Sequence, residues 1–69
     1  MTFGEKVKIL RKQKHITQTA LANMAHLTQP TIAKYEQDSV VPTYNNVYQV
    51  AMALEVDVDM LLDDERGVV

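Results

Sequence analysis

The chain has 69 residues, 46% of them apolar, and contains no cysteine. This length allows one small domain with a modest core, and the lack of cysteine excludes disulfides and thiolate metal sites. No apolar run approaches the ~18 residues that cross a bilayer, and lysines interrupt the region where a signal peptide has its apolar core. The expected location is therefore the cytoplasm, and no membrane partner is expected.

Charge is divided unevenly along the chain, although the formal net charge is only −2. Residues 1–35 carry six Lys or Arg and one acid, a net of +5, whereas residues 36–69 carry one Arg and eight acids, a net of −7. This division fits a basic face toward phosphates and an acidic face elsewhere. Two ordinary solvated surfaces explain the same counts, so charge alone leaves both interpretations open.

The first predicted helix begins at Phe3, because Thr2 and Glu5 have the T-x-x-E spacing of a capping box. The cations before Lys14 and the β-branched pair at 16–17 predict its end near Lys14. Apolar residues at i, i+4 and i+7 predict its buried stripe: Phe3, Val7 and Leu10.

Two short helices follow, joined by a tight turn. Thr17 is the expected N-cap of the second helix, at 18–25, and His26 occupies a turn position that favours positive φ. Thr28 caps the third helix, and Pro30 fixes its start, because a proline is tolerated in the first turn and not in the interior.

The last two helices follow a loop. The third helix is expected to end near Glu36 or Gln37, with Asp38 in a positive-φ conformation. Thr43 caps the fourth helix and Asp57 the short fifth helix. Their apolar positions match helical periodicity and predict the core-facing residues: Val47, Val50, Ala51, Leu54, Val58, Leu61 and Leu62.

The predicted fold class is all-α, since no stretch shows strand alternation. We expect one compact five-helix domain at 1–62 and an acidic, flexible C-terminal tail at 63–69. Within it, the segment 18–35 has the pattern of a helix-turn-helix, whose second helix enters the major groove of DNA.

The whole pattern resembles the phage repressor and Cro family, the xenobiotic response element class of helix-turn-helix regulators. That resemblance implies a lambda-repressor-like bundle and covers Val7 to Leu62. It is carried by Leu10-Arg11, Ile16-Thr17-Gln18, Leu21-Ala22, Leu27-Thr28-Gln29, Ile32, Tyr35-Glu36, Pro42, Ala51, Leu54, Val56 and Leu61-Leu62.

The resemblance also implies where double-stranded DNA is contacted. Base contacts are expected from Gln29 and Lys34, with a surrounding surface formed by Thr28, Pro30 and Ala33. Phosphate contacts are expected from Gln18, with nearby contributions from Thr17, Thr31, Thr43, Tyr44 and Asn45. Glutamine can pair with adenine and lysine can donate to guanine. Gln29 as a merely exposed helix-start residue, and Lys34 on phosphate, remain open alternatives.

Arg11 and Glu36 stand at positions that form an ion pair beneath the third helix in that family. The planar guanidinium matches a carboxylate, so we expect a structural pair. Two independent surface charges are the alternative.

Three positions depart from the family pattern. His26 and Asp38 replace glycines at turns, which predicts some strain. Val40 and Val41 occupy a loop where lysine or arginine is frequent, which puts loop-to-phosphate contacts in doubt.

Apolar residues in excess of what a small core needs predict a homodimer interface, at least on DNA, because one domain reads only a few base pairs. These are Val40, Val41, Val56, Val58 and Met60.

The predicted function is a sequence-specific DNA-binding transcription regulator, most simply a repressor that occupies operator DNA. The alternatives are a protein-interaction module, such as an antitoxin or a partner of another regulator, and the DNA-binding fragment of a longer regulator. An enzyme is poorly supported, since there is no glycine-rich phosphate loop and no convincing triad. No cofactor or metal is expected, because His15 and His26 have no obvious further ligands.

Overall fold

A computed structural model describes residues 1–62 and contains five α-helices there, without a strand in that range. The all-α fold is therefore confirmed, and the predicted tail at 63–69 lies outside the described residues. The helices are α1 (Phe3–Gln13), α2 (Gln18–Met24), α3 (Gln29–Glu36), α4 (Tyr44–Leu54) and α5 (Val58–Leu62).

Four threonines begin four of the helices, as the sequence predicts. The hydroxyl of each accepts a hydrogen bond from the backbone N–H three residues later, which satisfies one of the donors left free at a helix start. In α1 the capping box is complete, because Glu5 also accepts from the backbone N–H of Thr2 at 2.8 Å. The capping residues are Thr2, Thr17, Thr28 and Thr43.

The ends of α1 to α4 share one motif. Each is followed by a non-glycine residue with φ between 56° and 60°, and the next backbone N–H donates to a carbonyl five residues back, as in a Schellman motif. His26 and Asp38 were predicted to have positive φ; the same conformation at His15 and Glu55 was not. The apolar residues that follow three of them, Ile16, Leu27 and Val56, pack against the core.

The core lies between all five helices: α1 packs on α3, α4 and α5, α2 packs on α3 and α4, and α5 packs on α4. Leu10 was predicted in the buried stripe of α1, but it is only partly buried and packs on the edge of the core. The reason is geometric, because Leu10 lies toward the open groove between α1 and α5. The largest fully enclosed side chains are Leu21, Ile32, Leu54, Leu61, Val7, Val47 and Val50.

The start of α1 is attached to the end of α3. Phe3 meets Tyr35 edge-to-face, with ring centroids 5.6 Å apart. Asp38 accepts from the Thr2 hydroxyl at 2.5 Å and from the Gly4 N–H at 3.0 Å. A residue predicted only as a turn former is thus also a cap for a helix 34 positions earlier.

The end of α1 is attached to the end of α3 by the Arg11–Glu36 ion pair. Arg11 donates from Nε and from one terminal nitrogen to the two carboxylate oxygens of Glu36, at 2.6 and 3.1 Å. Its other terminal nitrogen donates to the carbonyl of Ile16 at 2.8 Å. The side chains are only 11% and 3% exposed, so the alternative of two separate surface charges is wrong. The hydrogen bond from Arg11 to Glu36 raises the pKa of Arg11, despite the opposing effect of burial.

Gly4→Ala is expected to destabilise the domain by about 1–3 kcal/mol. An added Cβ would collide with the Tyr35 carbonyl oxygen and would lie 2.8 Å from the Asp38 carboxylate. Glycine to alanine in an open helix normally stabilises by up to about 1 kcal/mol, so the sign of the change is diagnostic. Urea unfolding gives the free energy, with Lys8→Ala as an exposed control in the same helix. A more stable Gly4→Ala variant would contradict the close contact.

Glu36→Ala is expected to lower the free energy of unfolding by about 3–5 kcal/mol, because Arg11 keeps its charge without the partner. Arg11→Met combined with Glu36→Leu is expected to cost less, since no charge remains uncompensated. Thermal and urea unfolding compare the variants. Glu55→Ala, which breaks the exposed Lys14–Glu55 pair, serves as control and should leave the midpoint nearly unchanged. Equal losses for the single and double variants would argue against a buried charge effect.

Candidate nucleic-acid interface

Helices α2 and α3 pack against each other and are joined by a short turn at 25–28. On the inner side, Leu21, Ala22 and Ala25 of the α2 segment are buried, as are Ile32 and Tyr35 of α3. The small side chain of Ala22 allows the two helices to approach closely. This inner contact leaves one long face of α3 directed away from the core.

The outer face of α3 holds the residues predicted to contact bases. Thr28, Gln29, Pro30 and Lys34 are exposed, and Ala33 is partly buried between them. An eight-residue helix is about 12 Å long, and the major groove of B-DNA is about 12 Å wide. The structure thus presents the expected side chains on one convex helix surface.

A hydrogen bond connects the first residues of α2 and α3. The amide nitrogen of Gln29 donates to the amide oxygen of Gln18 at 2.9 Å. Gln18 in turn donates to the Glu36 carboxylate at 3.0 Å, beside the donors of Arg11. Sequence reasoning assigned Gln18, Gln29 and Glu36 separate roles and missed this connection. The only signal was that both glutamines follow the capping threonine of their helices.

The other predicted phosphate contacts begin helices. Thr17 and Thr43 use their hydroxyls as caps, accepting from Ala20 and Asn46. Thr31 shares a hydrogen bond of 2.9 Å with the hydroxyl of Thr28. The backbone N–H groups at a helix start and the positive end of the helix dipole favour an anion, so these places suit phosphate even with the side chains engaged.

The first turn of α4 lies beside α3. Asn46 donates from its side-chain amide to the Tyr35 hydroxyl at 2.8 Å, and Tyr44 and Asn45 near it are exposed. Asn46 was not singled out from the sequence, since an asparagine after a capping threonine has no distinctive pattern. Its bond to Tyr35 connects the first turn of α4 to α3, and the phosphate contacts at this place stay a prediction.

The electrostatics of the α2–α3 unit are nearly neutral. Between residues 17 and 37 the cation Lys34 is exposed and the acid Glu36 is paired internally with Arg11. The lysines of α1 are partly engaged elsewhere: Lys14 pairs with Glu55 at 2.6 Å, and Lys6 donates to the Met60 carbonyl at 3.1 Å. The hydrogen bond from Lys14 lowers the pKa of Glu55. The excess positive charge of residues 1–35 is therefore concentrated on α1 and is not spread over α3.

The predicted dimer residues differ in exposure. Val40, Val41 and Met60 are 41%, 46% and 52% exposed. Val56 and Val58 instead pack against the core of their own domain. The premise that all five exceed the needs of the core is wrong for these two residues, and the dimer itself stays a prediction.

Within residues 1–62 no cluster of His, Asp or Glu has the arrangement of a metal site. His15 and His26 are both exposed and follow helix ends. In the same range, no helix combines the length and the apolar character needed to traverse a lipid bilayer.

Similar proteins are found by sequence. The immunity repressor of Bacillus phage phi105 is 34% identical over 65 residues, which is 94% of this chain and 45% of the repressor. The uncharacterized HTH-type transcriptional regulator YqaE of Bacillus subtilis is 36% identical over 65 residues, again 94% of this chain and 56% of that protein. The chain thus spans about half the length of these curated relatives.

Similar proteins are also found by structure. The P22 c2 repressor in complex with a synthetic operator superposes with a TM-score of 0.87 at 28% identity, covering 94% of this chain and 98% of the repressor chain. SinR in complex with DNA gives a TM-score of 0.85 at 27% identity, covering 90% of this chain and 100% of the other. These matches confirm the repressor-like five-helix fold.

A sequence profile of the helix-turn-helix domain matches residues 4–66, nearly the whole chain. The match includes α2, the turn and α3, whose geometry is described above. By this profile, the two curated relatives and the superposed repressors, the chain belongs to the helix-turn-helix domain family of the phage-repressor type.

Proposed function

We propose that this chain is a sequence-specific DNA-binding regulator of transcription and that it represses by occupying operator DNA. The observation that carries the proposal is the outer face of α3. Gln29 and Lys34 are exposed on this face, whereas Ile32 and Tyr35 on the opposite face of α3 are buried in the core. A helix held in this way keeps its orientation when it enters a groove.

In this proposal α3 lies in the major groove and reads bases at its N-terminal half. Gln29 forms a bidentate pair with adenine, accepting from N6–H and donating to N7. Lys34, in the last turn of α3, extends this contact by donating to guanine or to a nearby phosphate. Thr28, Pro30 and Ala33 shape the surface around these two contacts.

Phosphates on either side of the groove fix the position of the domain without reading sequence. Gln18 has a second amide proton available for a phosphate oxygen. Thr17 is the N-cap of α2, and Thr31 lies in the first turn of α3. The N-terminus of α4, at Thr43, Tyr44 and Asn45, contacts a phosphate through its free backbone N–H groups. The bond from Asn46 to Tyr35 supports this placement.

The names of the similar proteins support repression: one is an immunity repressor and another a repressor solved on an operator. The function is binding, not catalysis, in the cytoplasm and without a cofactor. The chain spans about half the length of its curated relatives, and the proposed role of this domain is DNA binding. A protein-interaction module without DNA binding is the competing function, favoured only by the neutral surface of α2–α3.

Selection of bound sequences from a random duplex pool tests base reading. The wild type is expected to enrich an operator half-site containing one adenine that Gln29→Ala no longer prefers. A good base contact discriminates by about 1–3 kcal/mol, so enrichment at that position should be clear. Preferences at the other positions should persist in the variant, because the remaining contacts are unchanged.

Matched controls separate base reading from general affinity. Gln37→Ala removes an exposed glutamine just after α3 and should leave every base preference intact. Binding to random duplex should weaken steeply with salt for the wild type and for Gln29→Ala alike, as counterion release requires. No binding to any duplex at low salt would overturn the proposal and favour an interaction module.

We also propose that two copies bind two half-sites, with Val40, Val41 and Met60 at or near the contact between them. All three are large apolar side chains about half exposed. One α3 reads only a few base pairs, and paired domains about one helical turn apart extend the site.

Val41→Asp tests the paired arrangement. It is expected to weaken binding to a duplex with two half-sites by about tenfold or more, because a charge at a protein contact is costly to desolvate. Binding to a duplex with one half-site should be unchanged. Sedimentation of the complexes gives the stoichiometry. One copy on the two-site duplex for the wild type, at saturation, would remove the dimer from the proposal.

A further inference from the structure

A continuous series of hydrogen bonds leads from inside the domain to the outer face of α3. It begins at the Arg11–Glu36 ion pair, passes from Glu36 to Gln18 at 3.0 Å, and ends between Gln18 and Gln29 at 2.9 Å. We call Glu36, Gln18 and Gln29 the amide relay. The ion pair joins α1 to α3, and both bonds of Gln18 join α2 to α3, so the relay connects the two ends of α3 through α2.

The carboxylate of Glu36 determines how the amide groups of Gln18 and Gln29 are oriented. An ionised carboxylate accepts hydrogen bonds and donates none. Both of its oxygens are occupied by Arg11, and the side chain is only 3% exposed. Gln18 therefore has to turn its NH₂ group toward Glu36, since its amide oxygen there would face another acceptor.

The orientation of the Gln18 amide in turn determines the orientation of the Gln29 amide. With its NH₂ group on Glu36, Gln18 presents its oxygen to α3, and this oxygen accepts only from a donor. Gln29 accordingly turns its NH₂ group toward Gln18. A reversed Gln29 would place oxygen against oxygen at the same separation, so the hydrogen bond between the two side chains would be lost.

The orientation of the Gln29 amide decides which of its donor and acceptor groups remain available to a base. One amide proton is used by Gln18, and the second proton and the amide oxygen remain side by side. That pair matches the N7 acceptor and the N6–H donor of adenine, whereas guanine offers two acceptors at the same edge. The order of donor and acceptor is set before DNA arrives.

We propose that Glu36 is a positioning residue for base recognition: through Gln18 it orients the amide of Gln29 and so sets its selectivity for adenine. The inference rests on the proposed function of α3. It assigns to the ion pair a role beyond stability, since the acceptor-only character of Glu36 is what the relay requires.

Glu36→Gln is the direct test, because glutamine has the same shape and keeps an acceptor for Arg11 but can also donate. The readout is a ratio of two affinities: that for the half-site with adenine, divided by that for the same half-site with another base at this position. The wild-type ratio is expected to be roughly five- to hundredfold. The variant should lower it by about three- to tenfold, the size of one hydrogen bond, with random-duplex binding unchanged.

A charge-conserving double variant tests rescue. In Gln18→Glu with Glu36→Gln, the acceptor-only group now contacts Gln29 directly, while Gln at position 36 can donate to it. The adenine ratio should recover although overall affinity falls, because the carboxylate at position 18 lies near phosphate. Glu55→Gln makes the same chemical change in the exposed Lys14–Glu55 pair and should leave the ratio at its wild-type value.

Side-chain amide NMR of the free protein gives a readout independent of DNA. The wild type should show slow solvent exchange for a Gln18 proton and a Gln29 proton, and Glu36→Gln should lose the protection of Gln29. If Glu36→Gln does not fold, Gln18→Leu, which interrupts the relay and keeps the ion pair, is expected to lower the adenine ratio to the same extent.

The outcomes are distinguishable. A wild type without base preference, or a Gln29→Ala variant that keeps it, overturns the proposed function. A wild-type preference that depends on Gln29 but survives both Glu36→Gln and Gln18→Leu overturns the relay alone. Failure of the double variant to recover the ratio, while it is folded, would also count against the relay.

Discussion

The buried pairing of Arg11 with Glu36 is the constraint on which the rest of the domain depends. Both charges are nearly removed from water, which is unfavourable unless every donor and acceptor is matched. Here the guanidinium donates to both carboxylate oxygens and to the carbonyl of Ile16, so the match fixes distance and angle together. A compact apolar contact between α1 and α3 would stabilise as well but would tolerate small rotations of α3. The ion pair does not, and it constrains the orientation of the α3 face that is proposed to read bases.

A second attachment at the other end of α1 makes this constraint rigid. Asp38 caps α1 through Gly4 and Thr2, and Tyr35 contacts Phe3. The C-terminal end of α3 is thus held at two separated points on one helix, which prevents rotation about either point. The N-terminal end of α3, which is proposed to read bases, has no comparable contact with α1. It is positioned by packing on α2 and by the bond between Gln18 and Gln29.

The parts of the fold that follow local rules were predictable from the sequence. Capping threonines act over three residues and identify helix starts without knowledge of the fold. The positive φ at His26 and Asp38 was predicted because each follows a helix end at a turn position that usually carries glycine. His15 and Glu55 carry no turn signal of their own, and only the packing of the following residues, Ile16 and Val56, reveals the turn. The contacts of Asp38 with Gly4 and of Asn46 with Tyr35 join distant positions, and no single-sequence pattern encodes such pairs. The ion pair was predicted only because a family resemblance placed its two residues.

The same distinction explains why the candidate site was predicted as a set of residues and not as a network. Exposure of Gln29 and Lys34 follows from helical periodicity, because the opposite positions are apolar. Their hydrogen-bond partners depend on the crossing of α2 and α3, which periodicity does not give. Once that crossing is known, the chemistry of the groups determines the rest: a carboxylate that can only accept fixes one amide, which fixes the next. In the proposed complex a substitution at Gln29 therefore cannot be interpreted by its own contacts with a base alone, since it also removes the donor from which Gln18 accepts. In the proposed mechanism of base recognition, specificity is a property of the bonded pair at the two helix starts, and the buried carboxylate of Glu36 orients that pair.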